Sequence, residues 1–115
     1  MDNHLPFKEA GLNWLKANLC GDWVFFQCTH DEEKSDFSYS YLFQGCDEEL
    51  ASKLDEFNPI CQKEEAALDV KQIFYRQRYT EYPIQVSMSR NRVWISLLSE
   101  SAWQRLTRGT KAIRA

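Results

Sequence analysis

The spacing of apolar residues changes repeatedly along this chain, and each spacing predicts an element. Phe7, Gly11, Leu12, Leu15 and Leu19 recur at the intervals of a helical stripe, with Lys8, Glu9, Asn13 and Lys16 elsewhere on the wheel. Pro6 suits a first helical turn and Gly21 a C-terminal cap, so a helix is predicted over residues 6–20. Residues 23–29 are aromatic and β-branched. Residues 37–44 alternate, with Phe37, Tyr39, Tyr41 and Phe43 on one face and Ser38, Ser40, Leu42 and Gln44 on the other. A period of two is that of a half-buried strand, so two strands are predicted, joined by the polar, acidic loop of residues 30–36.

Asp47, Glu48 and Glu49 then place negative charge where a helix N-terminus favours it. Leu50, Ala51, Leu54 and Phe57 supply a short apolar stripe before Asn58 and Pro59 stop the helix. Between residues 63 and 79 the signals conflict. Glu64, Glu65, Ala66, Ala67 and Leu68 favour helix, whereas Ile73, Phe74, Tyr75 and Tyr79 favour strand. The reading adopted is a short helical turn followed by a strand over residues 72–80, with one continuous helix as the alternative. Ile84, Val86 and Met88 alternate with Gln85, Ser87 and Ser89, and residues 93–98 form another apolar strand across a polar turn, which makes a hairpin. Ser99 precedes a last helix with Trp103 and Leu106 facing inward and Gly109 at its end, and residues 110–115 are expected to be a frayed basic tail.

The element order α-ββ-α-βββ-α predicts one α+β domain over residues 1–115. It would hold an antiparallel sheet of about five strands, in two hairpin-like units, with helices packed on one face. A chain of 115 residues has material for one core. The aromatic share of 14 % is high, and it fits self-association into a homodimer as well as an all-core arrangement. The apolar positions between Leu5 and Leu19 are broken by charges, so no secretory leader is expected. The longest apolar run, Trp23 to Phe26, is too short to span a bilayer. The expected location is the cytoplasm, away from membranes, with Cys20, Cys28, Cys46 and Cys61 as reduced thiols.

The net charge of −3 conceals an asymmetry. Residues 1–70 carry five lysines, no arginine and fifteen carboxylates, a balance of −10; residues 71–115 carry nine lysines and arginines against two glutamates, a balance of +7. Either the two halves compensate each other across the fold, or each charge is solvated where it stands, or the surface is two-signed with a partner for each sign.

Catalytic and metal chemistry find little support. Cys28 and His30 with Asp31 and Cys46 are the nearest approach to a ligand set, but Cys-x-x-Cys and His-x-x-x-His are absent, so no metal is expected. Cys46 just before a helix would have a favoured thiolate, yet Asp47, Glu48 and Glu49 oppose it. The carboxylates are plentiful and lie in a loop and a helix first turn, where solvation leaves their proton affinities alike. Four glycines in the chain form no phosphate loop and no nucleophile elbow. No enzyme activity and no cofactor are expected.

Three binding readings remain. Asp31, Glu32, Glu33, Asp36, Asp47, Glu48 and Glu49, flanked by Tyr39 and Tyr41, would make an anionic patch with hydrophobic anchors for a basic protein partner. By analogy of size, charge and class alone, that is the behaviour of small inhibitors such as immunity proteins and antitoxins. Alternatively, Arg76, Arg78, Arg90 and Arg92, interleaved with Tyr75 and Tyr79, would neutralise and stack on single-stranded nucleic acid. Thirdly, Trp14, Trp23, Trp94 and Trp103 would line a small-ligand pocket between sheet and helices.

Overall fold

The computed structural model describes residues 4–19, 21–76, 82–90 and 92–113. Its elements in chain order are α1 (His4–Asn18), β1 (Asp22–Asp31), β2 (Asp36–Gln44), α2 (Asp47–Leu54) and β3 (Pro59–Glu65). After a 3-10 turn at Ala66–Leu68 come β4 (Val70–Tyr75), β5 (Ile84–Ser89), β6 (Arg92–Leu98), α3 (Glu100–Leu106) and β7 (Lys111–Ala112). The strands form one sheet in the order β1-β2-β6-β5-β4-β3-β7, antiparallel at every pairing. The connection through α2 carries the chain from β2 to the far side of the sheet, and the meander from β3 to β6 brings it back until β6 closes against β2.

One face of this sheet carries the main core. Tyr39, Tyr41 and Phe43 from β2 pack beside Ile95 and Leu97 from β6, Ile84 and Val86 from β5, and Tyr75 from β4. The register explains the set, because Tyr39 lies opposite Leu97, Tyr41 opposite Ile95, and Ile84 opposite both Leu97 and Tyr75. Cross-strand neighbours share a face, so the alternating residues of each strand combine into one apolar layer. Leu15 of α1 and Leu19 just after it, with Leu50 and Leu54 of α2, cover it. Gly11 lets α1 sit close: a Cβ there would meet Tyr41 Oη at 2.5 Å and Leu97 Cδ1 at 2.6 Å.

The structure corrects the sequence reading in four places. The sheet has seven strands, not five, because residues 59–65 are a strand and residues 111–112 form another on its outer edge. Glu64 and Glu65 favour helix locally, but pairing of β3 with β4 satisfies their backbone, and only Ala66–Leu68 keeps a helical turn. The expected tail is partly ordered, with Ile113 N donating to Ile60 O at 2.8 Å. The helices do not share one face: α3 packs on the opposite side of the sheet, where Ala102, Trp103 and Leu106 meet Cys61, Phe74 and Leu98. Residues 77–80, the end of the strand expected over 72–80, lie outside the described residues. No described helix is long and apolar enough to cross a membrane.

Candidate functional site

α3 is only seven residues long, so it covers one corner of the second face and leaves the rest open. Two cross-strand rows make that open area. In the first, Gln27, Ser40, Ser96 and Gln85 lie opposite one another on β1, β2, β6 and β5, and the row then runs under α3 at Phe74. In the second, Leu42, Trp94, Ser87 and Gln72 follow the same path. These residues are the off-core members of the alternating strands, and most carry a small hydroxyl or an amide rather than a charge.

The result is a cleft of about 330 Å³ on the open face. Arg105 and Leu106 of α3 line it on one side, and Phe26 and Trp94 line it on another, with their ring centroids 6.2 Å apart. Phe26 reaches the cleft through a local irregularity. The pairing of β1 with β2 shifts register between Phe25 and Gln27, so two successive residues, Phe26 and Gln27, both line the same cleft.

The polar groups of the floor are unequally satisfied. Ser40 Oγ and Ser96 Oγ share a buried hydrogen bond of 2.8 Å. Gln85 lines the cleft and is 8 % exposed as a residue. The Trp94 indole N–H is buried without an acceptor among the described residues, as is that of Trp23 in the main core, and such a group costs about 1–3 kcal/mol.

The described lining holds no carboxylate, imidazole or thiol, and therefore nothing that would exchange a proton near neutral pH. Its single charge, Arg105, is engaged by Asp36 through hydrogen bonds of 3.2 and 3.1 Å from Nε and a terminal nitrogen; that bonding raises the guanidinium further above its ordinary value. The described lining offers hydroxyl, amide and aromatic surface for binding.

The sequence-predicted sites fare differently. The acidic residues fall into two groups. Asp31, Glu32, Glu33 and Asp36 lie at the β1–β2 turn, and Asp47, Glu48 and Glu49 open α2 at the other end of β2. Nine extended residues separate the groups by about 25 Å. Tyr39 and Tyr41, expected as anchors beside them, are buried at 1 % and 0 % exposure. Among the arginines, Arg76 follows β4 and ion-pairs with Glu100 while lying over the Trp103 ring. Arg90 and Arg92 stand at the other end of the β4–β5 ladder, where Arg90 lies 3.8 Å from Asp69. Tyr75 is buried, and Arg78 and Tyr79 lie outside the described residues.

Of the four tryptophans, Trp94 lines the cleft. Trp14 packs on Phe57, Trp23 on Phe43 and Trp103 on Phe74. Among the described residues no group of three or more metal-ligating side chains comes together, and Cys28, Cys46 and Cys61 are not disulfide-bonded. Sequence reasoning assigned no role to Gln85, Ser87, Ser96, Ser38 and Ser40. The signal available was their lack of charge: across three neighbouring strands the off-core positions, apart from Asp36 and Arg92 at strand ends, are serine, glutamine, leucine and tryptophan, in a chain of which 27 % is charged. No family model, curated protein or solved structure matches this chain.

Proposed function

We propose that this protein is a non-catalytic binding domain that takes a small, uncharged polar ligand in the cleft on the open face of its sheet. The observation that carries the reading is Trp94, which lines the cleft and whose indole N–H is buried without an acceptor among the described residues. Folding alone does not favour such a group; a ligand that accepts its hydrogen bond does. A site tuned for binding at the expense of stability has a simple signature. Gln85→Leu, close in volume and apolar, is expected to weaken ligand binding about tenfold with the melting temperature held or raised. A lowered melting temperature with binding retained would reject the reading.

A second reading is favoured by the hairpin tip. Asp31, Glu32 and Glu33 are exposed at the turn of the longest hairpin, and this arrangement supports fast capture of a basic protein. Under that reading Glu32→Lys with Glu33→Lys abolishes salt-sensitive recovery of a basic partner, and unchanged recovery removes it. Nucleic-acid binding has the weaker geometric support, because the described arginines stand at opposite ends of the sheet. A gel shift at low salt that is lost in Arg90→Glu with Arg92→Glu would revive it.

A further inference from the structure

The cleft's chemistry points to one ligand class, and this inference rests on the binding reading above: we propose that the occupant is a neutral sugar ring. The floor groups are hydroxyls and carboxamides, each able both to donate and to accept. A sugar hydroxyl has the same double character, so a row such as Gln27, Ser40, Ser96 and Gln85 matches several adjacent hydroxyls at once. A flat heterocycle presents fewer edge groups and would leave much of that row unmatched.

The aromatic wall completes the match. A pyranose has an apolar C–H face as well as polar edges, and the Phe26–Trp94 pair supplies apolar ring surface beside the polar floor. Phe26 is 54 % exposed, so its ring is accessible to a ligand in the cleft. Charge selects as well. The sole charge of the described lining, Arg105, is held by Asp36, so the cleft offers no free counter-ion to a phosphate, carboxylate or amine. The volume of about 330 Å³ stands at the small end of ligand pockets and suits one or two rings.

The test is an amide and indole NMR titration of the whole protein with two panels. One contains neutral hexoses, N-acetylhexosamines and disaccharides; the other contains neutral nucleosides. The Trp94 indole signal is assigned by its loss in Trp94→Phe. A saturable shift of that signal with a sugar is expected, weakened about tenfold in Gln85→Leu and also weakened in Ser87→Ala, with the melting temperature of each variant confirming a folded chain. If nucleosides alone produce the shift, the sugar assignment is wrong while the cleft remains a binding site. If neither panel moves the cleft residues, both the assignment and the binding reading fall. A sugar-induced shift that Gln85→Leu and Ser87→Ala leave unaltered would place the sugar elsewhere and overturn the proposal.

Discussion

Tyr41 shows how a single side chain joins two elements. Its ring lies fully buried in the sheet core, and its Oη donates to the Lys8 carbonyl of α1 at 2.8 Å. Burial, with smaller contributions from Tyr39 and Cys28, raises its proton affinity well above the ordinary 10.0. The Tyr75 phenol is raised in the same direction by burial and by Asp55. In both cases the native state keeps a proton that the unfolded chain releases near pH 10, so the stability involved is whole below that pH and drains away as pH climbs toward the raised native values. Tyr41→Phe is therefore expected to cost about 1 kcal/mol at neutral pH through the lost hydrogen bond, and to lose stability less steeply above pH 10. Urea melts across the alkaline range measure both effects. Gly11 stands next to the same contact. Gly11→Ala would gain helix propensity, yet its methyl meets Tyr41 and Leu97 inside contact distance. The net expectation is a loss of about 1–2 kcal/mol, read as a lowered melting temperature.

Among the elements, α3 depends most on a single residue. Ser99 Oγ accepts from Ala102 N at 3.1 Å, capping the helix, and also from Phe37 N at 2.9 Å, tying the start of β2 to it. Ser99 is itself buried, so removing the hydroxyl leaves two N–H groups wanting. Ser99→Ala is expected to cost about 2 kcal/mol, more than an exposed cap, and to raise hydrogen exchange at both Phe37 and Ala102. This cap was legible in the sequence, as were α1, the β1–β2 hairpin and the β5–β6 hairpin, because each rests on local chemistry or a clean period. β3 was not. Its sequence PICQKEE has no strict alternation and carries residues of low strand propensity, and only its partners β4 and β7 give it a ladder.

Across the whole molecule the charge asymmetry resolves partly into contacts between the two halves. Asp36 and Asp69 belong to the acidic portion, and they meet Arg105 and Arg90 from the basic portion. Both arginines are more than half exposed, so these contacts position more than they stabilise. A double-mutant cycle on Asp36→Asn and Arg105→Gln is expected to give a coupling of under about 1 kcal/mol that shrinks with added salt. A larger, salt-independent value would show that the pair is functionally desolvated, and Arg105 would then count among the groups that shape the cleft.

The chain's own pattern settled the class of fold, the main helices and hairpins and the inward face of each alternating strand, because periodicity and capping act over a few neighbouring residues. Tertiary structure alone decided where β3 and β7 pair, on which face α3 lies and which polar residues converge. Ser40, Gln85 and Ser96 are far apart along the chain and adjacent only because β6 inserts between β2 and β5. Whether a glutamine on a strand is solvated or buried depends on what the sheet places around it, and no local pattern contains that information. The acidic residues, by contrast, stand in two groups at opposite ends of β2 simply because the strand between them is extended.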